Sequence, residues 1–264
     1  MKILNGSELA SYIKVRQAQQ VRALRQADNI EPRLAIIIAS DDPVISTFVR
    51  LKKEYGSDIL VDVDEYRLDQ SEVIAKIKEL NSDKNVHGII TQLPLADPSQ
   101  TDEIVKSIDP KKDVDGLGEG AQFSSATPTA IDWLLAGYNV DLKGKKIVIV
   151  GNGRLVGGPL YDLWTKAGHD VDVVEQGDDL ANSLRHADVI VAATGKPGLI
   201  KSEIIPIGAA VVDAGASSEA GEIRGDLDDS VYDRDDLTIT PRVGGVGPLT
   251  IAALFDNVIR SARP

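Results

Sequence analysis

Lys145-Lys-Ile-Val-Ile-Val150-Gly-Asn-Gly153-Arg-Leu-Val-Gly157-Gly-Pro159 is the stretch whose reading decides the fold. A short apolar run is followed at once by glycines at 151, 153, 157 and 158, and then by an amphipathic segment. Such unbroken hydrophobicity suits a strand covered on both faces, as in a parallel sheet. Gly151 and Gly153 permit a tight turn and close backbone approach to a pyrophosphate. The free amides and dipole of the helix that follows favour the negative charge. The spacing is G-x-G-x-x-x-G, one residue longer than the usual dinucleotide fingerprint, and similar turns occur where no ligand binds.

The same alternation runs along the whole chain. Leu34–Ala39, Ile59–Val63, Val86–Thr91, Lys146–Val150, Val171–Glu175, Val189–Ala193 and Ala210–Asp213 read as strands. Helical patterns lie between them at about 7–27, 44–56, 71–81, 98–107, 128–137, 155–167, 179–186 and 248–262. Thr127-Pro128 reads as a hydroxyl N-cap before a first-position proline, and Pro248 opens the last helix in the same way. Strand–helix alternation predicts an α/β protein made of βαβ units. A polar, glycine-containing link at Tyr138–Lys145 divides it into residues 1–138 and a nucleotide-binding domain at 139–247. The closing helix could pack on either half.

Composition narrows the chemistry. The 264 residues carry 29 basic and 41 acidic side chains, a net charge of −12, which argues against nucleic acid and anionic membranes as partners. No apolar run reaches the length of a membrane-spanning helix, and the N-terminus lacks the features of a signal peptide, so a soluble cytoplasmic protein is expected. There is no cysteine and there are three scattered histidines, so neither thiolate chemistry nor a metal centre is expected.

Glu175 closes the strand after the glycine-rich turn, where a carboxylate can accept from both adenosine ribose hydroxyls and would repel a 2′-phosphate. It favours NAD over NADP. Gly195-Lys-Pro197 and Asp213-Ala-Gly215 follow two further strands, at the carboxyl edge where α/β sheets bind ligands. In the first half, Phe48 and Lys52 share a helix face, Gln92 ends a strand, and Asp113-Val-Asp115-Gly116 forms an acidic loop. That loop could cap, bind metal or recognise an amidine-like ring edge.

In this order the segments resemble the bifunctional methylenetetrahydrofolate dehydrogenase/cyclohydrolase family, called FolD in bacteria. The resemblance spans Ile3-Leu-Asn-Gly6, Asp42-Pro43, Phe48-Val-x-x-Lys52, Val86-His-Gly-Ile-Ile90 and Gln92-Leu-Pro-Leu95. It continues through Lys112–Gly116, Thr127-Pro128, Gly151–Pro159, Gly195-Lys-Pro197 and Thr240-Pro241, and ends at Gly244-Gly-Val-Gly-Pro-Leu-Thr250. It implies two βαβ-type domains around a cleft, the second Rossmann-like, with helix 248–264 returning to the first. The implied reactions oxidise 5,10-methylenetetrahydrofolate with NAD or NADP and hydrolyse the methenyl product to 10-formyltetrahydrofolate.

By position the resemblance assigns catalysis to Lys52, Gln92 and Asp115. It assigns folate to Phe48, Val49, Leu93, Pro94, Pro241, Gly244, Gly245 and Pro248. The dinucleotide falls to Gly151, Asn152, Gly153, Val156, Gly157, Glu175, Gln176, Thr194, Gly195, Asp213 and Gly215, with no metal, in a homodimer. Phe48 stands where the family usually has tyrosine, Ile45 and Gly153 where it has serine, and Ala126 where it has cysteine. Asn152 and Gln176 stand where NADP-using relatives place arginine or serine. The alternatives are a dehydrogenase with weak or absent cyclohydrolase, or a non-catalytic dinucleotide-binding protein on the same scaffold.

Overall fold

The computed structural model describes residues 1–40, 43–215, 217–219 and 222–264. Asp42 of the Asp42-Pro43 motif lies outside them. In chain order the strands are β1 (Lys2–Ile3), β2 (Arg33–Ile38), β3 (Asp62–Arg67), β4 (Gly88–Gln92), β5 (Lys146–Val150), β6 (Asp170–Val174), β7 (Val189–Ala192), β8 (Ala210–Asp213), β9 (Ser217–Glu219), β10 (Glu222–Arg224) and β11 (Thr238–Ile239). The helices are α1 (Gly6–Ala23), α2 (Pro43–Asp58), α3 (Val73–Ser82), α4 (Thr101–Lys106), α5 (Ala126–Gly137), α6 (Gly157–Lys166), α7 (Leu180–Leu184) and α8 (Val246–Ser261). Among the described residues no helix is long and apolar enough to cross a membrane.

The chain forms two compact units, each built from two segments. Met1–Ala10 and Thr127–Thr250 make the nucleotide unit; Ser11–Ala126 and Ile251–Pro264 make the catalytic unit. This corrects the division expected at 138/139. Helix α5 goes with the later residues because it packs on the start of α1: a methyl group on Gly137 would stand 2.7 Å from Leu9 Cδ1. Helix α8 changes unit at Ile251.

The nucleotide unit holds a six-stranded sheet in the order β1-β11-β8-β7-β5-β6, every pair parallel, with the small β9–β10 hairpin beside it in sequence. From β5 the chain passes to β6 on one side and then to β7 on the other, so the strand order reverses at β5. Ligands of open α/β sheets bind outside the carboxyl ends at that reversal. The core beneath is aliphatic, with Val148, Val150, Ile190, Val211 and Ile239 buried.

The catalytic unit holds a parallel sheet of order β3-β2-β4. A parallel bridge from Ile89 to Asp113 continues it past β4 and places the acidic loop beside that strand. The expected strand Ile59–Val63 is corrected to Asp62–Arg67. Ile59 and Val61 are buried, but Leu60 takes a left-handed φ of 65° and the amide of Val61 donates to Gly56 O at 2.9 Å, so these residues end α2 instead. Helices α5 and α8 also begin earlier than expected, at Ala126 and Val246. Thr127 is therefore not an N-cap, and Pro128 and Pro248 each occupy the third helical position. A first-turn amide has no intrahelical acceptor, so proline is tolerated there.

Polar groups lock the catalytic unit together. Buried Gln17 accepts from Tyr55 Oη at 2.7 Å and donates to Ala252 O at 2.8 Å, and the Tyr55 and Phe255 rings stack at 5.2 Å. Asn257 Nδ2 donates to Val114 O and to Ser124 O, both at 2.9 Å, which ties α8 to the segment carrying Asp115. Asn257→Leu keeps the helix and fills the site but strips two carbonyls of their donor. It should cost about 2 kcal/mol and lower the thermal midpoint by roughly 4–8 °C. An unchanged midpoint in a calorimetric scan would show that those carbonyls find other partners.

Candidate active site

In the catalytic unit, Lys52 on α2 donates from Nζ to Gln92 Oε1 at 2.6 Å. Gln92 is the last residue of β4, and its Nε2 donates to Leu93 O at 3.2 Å, which turns its acceptor oxygen toward the lysine. Burial depresses the Lys52 pKa below the usual ammonium value, and the charge of Asp115 works in the opposite direction. Burial likewise raises Asp115, to about 6; Lys52 opposes that rise and Asp113 adds to it. Each group thus supports the other's charge although both lose hydration there.

The loop carrying Asp115 is rigid for local reasons. Asp113 accepts from the amides of Gly116 at 3.0 Å and Gly118 at 2.6 Å. Gly116 has φ of 67°, and a methyl group on it would lie 2.5 Å from Phe123 O. The acidic loop therefore acts first as its own cap: Asp113 accepts from its own backbone, while the charge of Asp115 acts on Lys52. Phe48 and Leu93 are half-buried, and Pro94 is exposed. Val49, expected among the folate-binding residues, is 2 % exposed, so its side chain belongs to the core; Ile45 is buried beside it in the same way. Pro241, Gly244, Gly245 and Pro248 lie in the other unit, where Gly244 O accepts from the Ser7 amide at 2.9 Å.

In the nucleotide unit, β5 runs into Gly151, whose φ is 102°. A methyl group there would lie 2.5 Å from Ala193 O, and one on Gly157 would lie 1.8 Å from Gly151 O. Two glycines thus keep open the crossing of the turn over the start of α6. Val156 precedes that helix without a side-chain cap, and Gly153 has open space around it. Donors without a side-chain acceptor, beside a cradle that two methyl groups would fill, fit a dinucleotide pyrophosphate.

Glu175, just beyond β6, accepts from Asn152 Nδ2 at 2.7 Å, so the Asn152 amide is already engaged within the protein. Lys196 Nζ donates to Gln176 Oε1 at 3.2 Å. Thr194 is engaged too. Its amide and hydroxyl donate to Asp226 Oδ2 at 2.5 and 2.9 Å, and the Gly195 amide approaches the same oxygen at 3.3 Å. Thr194 was expected as a direct contact; both of its donors face inward instead. Asp213 accepts from the amides of Gly215, Asp226 and Leu227 at 3.0–3.1 Å, and burial raises its pKa to about 6.

Two residues escape the sequence reading. Asn257 lies three and four residues after the apolar Leu254 and Ala253, so a polar group on an apolar stripe was its one signal. Asp226 sits in Gly225-Asp-Leu-Asp-Asp229, where nothing separates it from ordinary solvated loop acids.

Comparison with known proteins divides the chain between residues 115 and 125, near the boundary of the two units at Ala126, and keeps each part continuous in sequence. Residues 4–115 match the tetrahydrofolate dehydrogenase/cyclohydrolase catalytic domain and residues 125–264 match the NAD(P)-binding domain of that family. The chain is similar to the bifunctional protein FolD of Nautilia profundicola, 34% identical over 278 residues covering 100% of this chain and 98% of the relative. It is also similar to the crystal structure of the bifunctional FolD of Campylobacter jejuni, with a TM-score of 0.92, 36% identity and coverage of 99% and 98% of the two chains. A third likeness is to the Trypanosoma brucei methylenetetrahydrofolate dehydrogenase-cyclohydrolase complexed with NADP and inhibitor. Its TM-score is 0.91 at 28% identity, covering 98% of this chain and 96% of that one.

The opposed shifts at 52 and 115 have a direct consequence. Asp115→Asn removes the charge that holds the Lys52 proton in place, so the lysine should titrate lower still. Acylation of Lys52 as a function of pH, read by mass spectrometry, measures this. A titration that stays put or moves up would show that the carboxylate does not act on the lysine.

Proposed function

This chain belongs to the tetrahydrofolate dehydrogenase/cyclohydrolase family, and from that premise we propose which of its residues carry the two reactions and which dinucleotide it prefers. The enzyme oxidises 5,10-methylenetetrahydrofolate to the methenyl form and hydrolyses that product to 10-formyltetrahydrofolate, in one-carbon metabolism. When bound, the nicotinamide dinucleotide accepts the hydride leaving the bridging methylene. The observation that carries the residue assignment is the 2.6 Å hydrogen bond from Lys52 to Gln92 beside a carboxylate raised to about 6.

Hydrolysis needs a base for the water that adds to the methenyl carbon and an acid for the ring nitrogen that leaves it. A lysine whose pKa is lowered by burial can take one proton from that water and return it to the ring nitrogen as the C–N bond breaks. The hydroxyl proton of the adduct leaves to solvent as the formyl C=O forms, which discharges the cation with no net change in the enzyme. Gln92 holds the amine in place without adding charge, which suits a cationic substrate. Asp115, ionised, offers two acceptor oxygens to adjacent N–H donors of the pterin edge, and Phe48 presents an apolar ring face for it. Pro241, Gly244, Gly245 and Pro248 are assigned to folate by family position alone.

The sign of the pH dependence follows. Asp115 is ionised above about 6 and protonated below it, and a protonated carboxyl loses one acceptor. The KM for folate should therefore rise as pH falls through about 6. The groups that act on Asp115 are Lys52 and Asp113. Steady-state kinetics on the parent and on Asp115→Asn separate the cases: the variant should lose the acidic limb along with most of its affinity. An acidic limb that persists in the variant would assign it elsewhere.

NAD is the preferred dinucleotide in this reading. Glu175 stands at the end of β6 with one carboxylate oxygen on Asn152, which leaves the other for a ribose hydroxyl and sets a negative charge where a 2′-phosphate would lie. Gly151, Gly153, Val156, Gly157 and the turns at Gly195 and Gly215 line the rest of the dinucleotide path. We place the enzyme in the cytoplasm, with its folate and nicotinamide pools, as a homodimer. Supplying methylenetetrahydrofolate with each dinucleotide and recording reduced nucleotide should give a kcat/KM higher for NAD by about tenfold. Glu175→Gln should narrow that gap; turnover with NADP alone would overturn the preference.

A further inference from the structure

Asp226 is a carboxylate with 0 % exposure whose role nothing in the reaction chemistry explains. Its Oδ2 collects the Thr194 amide, the Thr194 hydroxyl and the Gly195 amide. Its own amide donates to Asp213 Oδ1 at 3.0 Å, and the Asp213 amide donates in turn to the Thr240 hydroxyl at 2.9 Å. The interlock is built on absent side chains: a methyl group on Gly215 would lie 2.2 Å from Asp226 Cγ, and one on Gly225 would lie 2.0 Å from Asp213 Oδ2. Asp226 Oδ1 is buried with no hydrogen-bond partner among the described residues. A buried charge left half-satisfied costs stability, and a neutral acceptor would hold a loop more cheaply.

What the charge holds is the turn after β7, on one side of the strand-order reversal. Across that reversal the same turn closes directly over Gly151: a methyl group on Gly151 would lie 2.5 Å from Ala193 O and 3.1 Å from Thr194 Cγ2. The two loops expected to meet the dinucleotide therefore share one wall, anchored from behind by Asp226. We propose that Asp226 is a positioning residue for the dehydrogenase reaction, fixing the Thr194–Gly195 turn in the geometry that admits the dinucleotide beside Gly151. This rests on the reading that those two loops bind the dinucleotide.

The test uses the full-length enzyme, with methenyl hydrolysis normalising each preparation for folded protein because that step consumes no dinucleotide. Asp226→Ala should raise the KM for the dinucleotide about tenfold, the size expected for lost charge-assisted hydrogen bonds. The kcat at saturating dinucleotide should stay within about twofold, and the folate KM should rise far less. Asp226→Asn keeps an acceptor oxygen without its charge and should fall between parent and alanine variant. If neither variant folds, Thr194→Val, which deletes one donor to Asp226, should raise the same KM, and Thr194→Ser should restore most of the loss. Equal rises in both KM values, or none in the dinucleotide's, would overturn the proposal. Gly151→Val separates this from the underlying reading. If it raises the dinucleotide KM while the Asp226 variants do not, only the positioning role falls. If it too leaves that KM unchanged, the nucleotide-site reading falls and takes the proposal with it.

Discussion

Lys52 holds its proton less readily than a lysine in water because it is half-buried, and what surrounds it in the catalytic unit follows from that loss of hydration. Its immediate partner, Gln92, can accept a hydrogen bond but cannot neutralise a charge. The neighbouring carboxylate can, and is itself driven upward by burial. Neither group reaches its ordinary titration range, so the pair is poised for proton movement instead of locked as an ion pair. Holding it there requires Gln92 at the end of a strand, a left-handed Gly116 in the acidic loop, and an asparagine on α8 clamping that loop's carbonyls.

The nucleotide unit solves a different problem with different means. Its distinguishing positions are those where no side chain fits, Gly151 and Gly157 above all. Acidic side chains then act behind the loops: Asp213 and Asp226 each gather amides from neighbouring turns.

Strands buried on both faces were legible because their apolar runs leave few other placements: β2, β4, β5, β7 and β8 stand within a residue or two of expectation. So does the edge strand β6, whose valines at 171, 173 and 174 mark it despite exposed Asp170 and Asp172. Strand β3 was misplaced because Asp62–Arg67 is a polar edge strand, its acids at 62 and 64 paired with Arg33 at 3.4 and 3.3 Å, while the apolar run before it closes a helix. The two-residue strands β1 and β11 carry no periodicity at all. At the site, Lys52, Gln92 and Asp115 were found by motif, and the structure brings them together. Val49 and Thr194 were found by motif too, but they point inward, and sequence spacing has no means of telling which way a side chain turns. Asp226 was invisible because a structural carboxylate and a solvated one are written with the same letter.

The two-segment construction of each unit bears on how the chain is made. A ribosome releases residues from the amino end, and domains commonly acquire structure as they emerge. Here the first ten residues belong with a sheet whose strand β11 appears only at Thr238, and the acidic loop waits for Asn257. Neither half can finish before Thr238 and Asn257 have emerged, so a nascent product truncated ahead of β11 would carry both halves incomplete.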